Sequence, residues 1–281
     1  MYIFKGIYKL IRSLCDALIL KRIRAVSVPI CSTRETLDEC LRLVELEQSG
    51  AYLRFGDGDV CIADGEGDLL QEKNSQMTLE MIEAFSASGP GILKTLPLNS
   101  SRFGMEYGMR PGVHLGADER CDFFLVRCFP YFLGNKIYNT CALHHQAVVD
   151  TEYCIDFLRL LRAKTILFVG CCDVPDNVKM LLFGTAFHVK TPASDSYKDI
   201  DRICFESSSF LEESSSFGVV VVAMGCAGRI FINRMLRFSF NVFYFDFGSL
   251  LDALCQRETR AWISETSVMD KSTYILKRLS E

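Results

Sequence analysis

Between residues 165 and 247 the chain repeats one alternation: the short apolar runs TILFVG, FHVKTP, GVVVVAM and NVFYFDF, each parted from the next by a segment of helical length and spacing. Strands with so little polar surface need cover on both faces, and helical crossovers return each strand in the same direction. The pattern predicts an α/β fold, a Rossmann-like doubly wound, mostly parallel sheet. The alternation begins earlier, with TRETLDECLRLVELEQ as an amphipathic helix ended by Ser49-Gly50, AYLRF as a strand, MTLEMIEAFSAS as a helix stopped by Gly89-Pro90-Gly91, and ILKTLPL as a strand. One long helix is expected over about 141–162, and others near 178–183, 197–213 and 228–238. Residues 97–140 show no clear period.

A chain of 281 residues, 49% of them apolar, can bury a large core. Residues 31–281 read as one domain and residues 1–30 as a separate basic amphipathic helix. In that helix Ile3, Phe4, Ile7, Tyr8, Ile11, Leu14 and Leu18 recur at helical spacing, with Lys5, Lys9 and Arg12 on another face. Residues 1–24 carry a net charge of +5, which leaves −9 for the rest of a chain whose total is −4. Such a helix is too broken by charge to span a bilayer, but it can lie on an anionic membrane surface; packing on its own domain or on a second subunit is the other reading. The acidic balance argues against nucleic acid as a partner. The 13 cysteines are irregularly spaced, no secretory signal precedes them, and Cys171-Cys172 are adjacent with no Cys-x-x-Cys pair. They read as reduced thiols of a cytoplasmic protein, mostly small apolar packing, with little support for zinc.

Open parallel sheets bind ligands beyond the carboxyl ends of their strands. Four loops reach that edge: FGDGDV, GCCDVPDN, GCAGR and DFGS. In VVVVAMGCAGRIF, Gly225 and Gly228 would let backbone N–H groups approach a diphosphate, with Arg229 beside them; a purely steric need for glycine in a tight turn is the alternative. In FGDGDV, Asp57 and Asp59 would project to one side if the backbone is still extended, two hard-oxygen ligands for one Mg²⁺ or Mn²⁺ that takes its other ligands from substrate phosphates. Gly56 and Gly58 leave room for that substrate. A calcium loop fails, because the turn glycine and the terminal glutamate fall on the wrong residues. A solvated glycine-rich turn is the remaining reading, and Asp64, Glu66 and Asp68 are assigned to solvent.

YLRFGDGDV resembles the RFGDGE segment of bacterial glycosyltransferases with the GT-D fold. The similarity runs from about residue 35 to 255 through Gln71, Tyr138-Asn139, TILFVG, TPASDSY, VVVVAMGCAG and YFDFGS. It implies a metal-dependent transferase that moves a sugar from a nucleoside diphosphate sugar, a UDP-sugar foremost, to the hydroxyl of a glycan or lipid-linked acceptor in bacterial polysaccharide synthesis. The family's Asp-x-Glu metal motif falls on Asp57 and Asp59, and its Asp-x-Gly-His segment on Asp246, Phe247, Gly248 and Ser249. Three departures stand out: Asp59 for Glu, Ser249 for His, and CALHHQ where a Ser-Arg pair is usual. His144 or His145 would replace the arginine's contact to phosphate, or be a satisfied helix-face histidine. On this reading Arg54 assists with charge or anchors the loop, and Asp195 is the candidate catalytic base, an N-cap being its alternative role. Inverting and retaining transfer both stay open. So do two further classes: an S-adenosylmethionine methyltransferase, suggested by TILFVGCCD, and a degenerate transferase acting as a binding module.

Overall fold

The computed structural model describes Leu14, Leu18, residues 31–96, Arg127, Cys128, Tyr131, residues 136–214 and residues 216–281. The expected N-terminal helix lies outside these residues except at Leu14 and Leu18, which are helical and exposed. Among the described residues, seven parallel strands form one sheet in the order β3-β2-β1-β7-β6-β4-β5. They are β1 (Gly50–Leu53), β2 (Ile92–Leu96), β3 (Tyr138–Asn139), β4 (Thr165–Cys171), β5 (Phe187–Thr191), β6 (Gly218–Ala223) and β7 (Val242–Asp246). The expected parallel α/β architecture is therefore the observed one.

Both faces are covered, and the strands alternate between them with a period of two. Ala51 and Leu53, Leu167 and Val169, Val220 and Val222, and Tyr244 meet one core, shared with α2 (Asp57–Ala63), α3 (Ser75–Ser86), α7 (Ile200–Glu213) and α8 (Ala227–Met235). Tyr52, Ile166, Phe168, Val219, Val221, Phe243 and Phe245 meet the other. That face carries α1 (Thr33–Glu45), α4 (Ala142–Val149), α5 (Thr151–Arg162), α6 (Asp176–Phe183), α9 (Leu250–Leu254), α10 (Ala261–Glu265) and α11 (Val268–Ser280).

Two elements differ from the sequence expectation. The single helix over 141–162 is two, because Asp150 ends α4 with φ −137° and ψ 75° and then caps α5 by accepting from Tyr153 N at 3.2 Å. The chain also continues past β7 into three helices that the sequence reading does not resolve. The last, α11, is fastened by Arg159 and Arg162, which donate to the carbonyls of Arg278 and Leu279 in its final turn.

This topology sets the site. From β1 the chain moves outward through β2 to β3, and the remaining strands build the opposite half, so the order reverses between β1 and β7. The helices after β1 cover one face and α9, after β7, the other, so the carboxyl edge between them is where an open parallel sheet is expected to form its ligand crevice.

Candidate functional site

The crevice is floored by a buried knot of charge. Arg54, just past the end of β1, reaches the last residue of β7: NH1 lies 3.6 Å from Asp246 Oδ1, Nε donates to Thr140 O at 2.6 Å, and NH2 lies 3.4 Å from His144 Nε2. Arg229, in the first turn of α8, lies between two carboxylates, with NH1 3.3 Å from Asp246 Oδ2 and Nε 3.4 Å from Asp59 Oδ2. It also donates to the carbonyls of Arg54 and Gly225. Two cations thus face two anions with almost no solvent: Asp59 is 1% exposed and Asp246 2%. Burial works against the Arg229 cation, yet Asp246 and Asp59 overcome it and hold its pKa above the usual value. Burial is the larger force on Asp59, pushing its carboxyl up to about 6 against the attraction of Arg229 and the hydrogen bond from Gly56 N.

The glycines of this edge have separate roles. Gly248 has φ +64°, and a Cβ there would lie 1.4 Å from Arg54 NH1, so the guanidinium occupies the space a side chain would need. At Gly58 a Cβ would come within 2.9 Å of both Asp68 Oδ2 and Cys226 Sγ. Gly225, at φ +58°, opens the turn into α8 and is crowded by nothing nearer than Leu70 Cδ1 at 3.5 Å. Gly228 differs: its missing Cβ would point at Val222 Cγ1, 3.0 Å away, so this glycine lets α8 pack on β6. The N–H groups of Gly228 and Arg229 bond to the carbonyls of Gly225 and Cys226, and the part of the turn that a phosphate could approach is centred on Gly225.

Asp57 and Asp59 are not on an extended segment. The helix α2 starts at Asp57, which sets the two residues about 200° apart around its axis rather than side by side. Asp57 is exposed. Asp59, at the third helical position, folds back to accept from Gly56 N at 2.6 Å and closes the helix start. Its other oxygen, Oδ1, is buried and has no hydrogen-bond partner.

The orphaned Asp59 oxygen suits a hard divalent cation, and the exposed Asp57 stands two residues before it in the same helical turn. Among the described residues no three His, Cys, Asp or Glu ligand atoms converge in this loop. A cation here would complete its shell with water and donor phosphates, the usual habit of Mg²⁺.

The other expected site residues are placed as follows. Asp195 stands at the N-cap position of the short 3₁₀ turn without a side-chain capping bond: at φ +52°, its carboxylate accepts instead from Glu72 N at 2.9 Å and from Lys198 Nζ at 3.1 Å, and these bonds lower its pKa. It fastens the acidic loop to the short 3₁₀ turn Ser196–Asp199, as does Gln71, which accepts from Tyr197 N and donates to Ser196. Asp68 is not solvated. Its Oδ1 accepts from Leu70 N and Gln71 N, and its Oδ2 from the Cys226 thiol at 3.0 Å. The Asp-to-backbone reach two and three residues ahead was the signal for that turn. Asp64 and Glu66 are the surface acids expected, paired with Arg127 and Lys73.

Neither histidine is a surface histidine. His145 lies 3.1 Å from Thr33 Oγ1 in the core. His144 is buried, its pKa held well below the usual value by burial and by Arg54, and its neutral Nε2 accepts from Leu250 N at 3.1 Å. Ser249 Oγ lies 3.4 Å from that nitrogen and accepts from Trp262 Nε1 at 2.9 Å. His144 and Gly248 are the residues whose weight in the site local sequence understates, because their partners, Leu250 and Arg54, are far away in the chain.

No family model matches the chain, and no curated protein matches it by sequence. Among solved structures, the fold is shared with a protein described as the highly conserved domain of unknown function 1792, with a distinct glycosyltransferase fold. The TM-score is 0.60 at 16% identity, over 83% of this chain and 82% of the other. A new glycosyltransferase of the same domain type, from Streptococcus sanguinis, superposes with a TM-score of 0.55 at 16% identity, over 79% and 81% of the two chains. Among the described residues no helix is long and apolar enough to cross a membrane.

Proposed function

We propose that this chain is a metal-dependent glycosyltransferase that moves a sugar from a nucleoside diphosphate sugar, in the first instance a UDP-sugar, to a hydroxyl of a glycan or lipid-linked acceptor. One observation carries the reading: on a glycosyltransferase fold, the crevice where the strand order reverses presents an exposed carboxylate, Asp57, and a buried carboxylate oxygen without a donor, on Asp59. In this reading Asp57 and Asp59 hold Mn²⁺ or Mg²⁺, which as a Lewis acid stabilises the charge that builds on the departing diphosphate. The open turn at Gly225 offers backbone N–H groups to the phosphates, and the dipole of α8 favours their charge. Arg229 and Arg54 act from beneath. Their guanidiniums are engaged by Asp59, Asp246, Thr140 and Gly225, and they fix the two turns against each other. In the transfer the acceptor oxygen forms its bond to the anomeric carbon as the bond to the diphosphate oxygen breaks, and the hydroxyl proton leaves to a base or to the departing phosphate. Asp195, doubly bonded and lowered in pKa, serves as an anchor of the acidic loop in this scheme.

The proposal includes a cytoplasmic location, with residues 1–24 on anionic lipid at the inner face of the membrane, where lipid-linked acceptors reside. Hydrolysis of a panel of nucleotide sugars with and without Mn²⁺ tests the activity without knowledge of the acceptor. Calorimetry with UDP and Mn²⁺ tests the site. Metal-dependent UDP binding supports the transferase; metal-independent adenosylmethionine binding would move the chain to the methyltransferases, and neither would leave a binding module. Loss of liposome sedimentation on deleting residues 1–24, with donor hydrolysis kept, is the expected result for the membrane contact.

A further inference from the structure

The turn after β4 holds a cluster that the transfer chemistry does not use. Cys171 Sγ, Cys172 Sγ and an Asp173 carboxylate oxygen lie within 4.8 Å of one another, the one such group of three among the described residues. The turn is held from several sides. Cys171 is paired with Thr191 in the β4–β5 ladder, and Cys172 N donates to Thr191 O at 3.1 Å. Asp173 N donates to Cys171 Sγ at 3.4 Å, and Arg257 from beyond α9 binds the Asp173 carbonyl. Cys172 and Asp173 are exposed and Cys171 is half-buried, so an ion has a way in.

We propose that this turn is a thiolate metal site in which Cys171, Cys172 and Asp173 bind one borderline-soft dication of the Zn²⁺ class. Zinc–sulfur bonds of about 2.3 Å and zinc–oxygen bonds of about 2.0–2.2 Å at tetrahedral angles set a ligand sulfur and oxygen roughly 3.5 Å apart. The Cys172 thiol donates to Asp173 Oδ1 at 3.3 Å, close to that spacing, and a bound dication would take the place of the shared proton. Thiolates select zinc-class ions over Mg²⁺ or Ca²⁺, so this site and the all-carboxylate turn after β1 choose different metals. Binding releases two thiol protons to solvent and leaves the site with a net charge of −1. Three protein ligands leave a fourth position for water, the pattern of open rather than closed zinc sites. The adjacency of the two cysteines, which looked poor for zinc against Cys-x-x-Cys spacing, is workable because the third ligand follows directly in the same turn. β6 lies between β4 and β7, placing the cluster about two strand spacings, roughly 10 Å, from the Asp246 strand.

The test is a Cd²⁺ titration of the full-length protein under phosphine reductant, followed by the ultraviolet thiolate-to-cadmium charge-transfer band, with Zn²⁺ as competitor. One equivalent should saturate the band, and Zn²⁺ should displace it. C171S and C172S should each weaken binding about tenfold or more, the double variant should abolish the stoichiometric band, and D173N should weaken it less. C61S, which removes an exposed thiol on α2, should leave it unchanged. Circular dichroism confirms that each variant is folded. No saturable band in the parent, or the same band and affinity in the folded C171S/C172S variant, overturns the site.

Discussion

The turn after β1 and the turn after β6 are built from the same parts, yet they use their charges in opposite ways. Each has a glycine between strand and helix and an ionisable residue in the first helical turn. After β1 the charge is divided, with Asp57 exposed and Asp59 drawn under the turn to meet Arg229. After β6 it goes wholly inward, because Arg229 reaches between Asp59 and Asp246 and leaves only the glycine turn facing the crevice. Read one loop at a time, both look like ligand loops with charges for the ligand. Side by side in the sheet, the inner charges of each turn are the other's counter-ions, and what remains for a ligand is the Asp57 carboxylate, the unpartnered Asp59 oxygen and a stretch of backbone.

The sharpest way to break this comparison is to remove the shared cation. Arg229→Met keeps much of the side chain's volume but leaves Asp59 and Asp246 buried with only Arg54 near the latter. Removing one partner of a buried pair costs about 3–5 kcal/mol. Urea denaturation of the purified protein should show that loss, and a change of less than about 1 kcal/mol would mean that the two turns are not locked together.

Next in size is the outward carboxylate. Asp57→Asn should fold with the stability of the parent, because the side chain is exposed, while metal-dependent donor turnover falls on the order of a hundredfold, about 2.7 kcal/mol of transition-state stabilisation. Steady-state hydrolysis across a Mn²⁺ series measures it. Unchanged turnover and Mn²⁺ dependence would return the stretch to a solvated turn.

The inward carboxylate should show itself through pH. Asp59 has a pKa of about 6 in the folded chain against 3.8 for the ordinary carboxyl, so between these values the folded state binds more protons than the unfolded one. Stability from this group is therefore greatest at the acid end of the window and is lost as pH rises from about 4 to 6, by on the order of 1–3 kcal/mol. Denaturation curves in metal-free buffer should carry that slope in the parent, and Asp59→Asn should flatten it. An equal slope in both proteins would assign the titration elsewhere.

How much of this was legible in sequence follows the same division. The strands and most helix positions could be read because apolar runs and helical spacing are local, and the carboxyl-edge position of FGDGDV, GCAGR and DFGS followed from the parallel sheet. The helix start at Asp57 could not be read from extended-strand periodicity, because Asp59 closes it by a bond back to Gly56. Gly248 is required by a guanidinium 194 residues earlier in the chain, and His144 is neutral because α4 is buried against the loop after β7. Such pairings belong to the folded sheet, and no local pattern encodes them.

The smallest expected effect is at the rim of the same loop. Glu66 pairs with Lys73 at 3.6 Å, with both side chains about two-thirds exposed, a geometry in which water and salt screen most of the attraction. Glu66→Gln should therefore alter stability by no more than about 0.5 kcal/mol and donor turnover by less than about twofold. Four residues of the loop separate it from Gln71, which the Asp195 anchor and the 3₁₀ turn hold in place, so losing one surface charge gives the crevice no reason to move. A large fall in turnover with stability unchanged would show that the loop's outer acids reach the substrate, and the separation between inward, outward and solvent carboxylates would have to be redrawn with Glu66 on the ligand side.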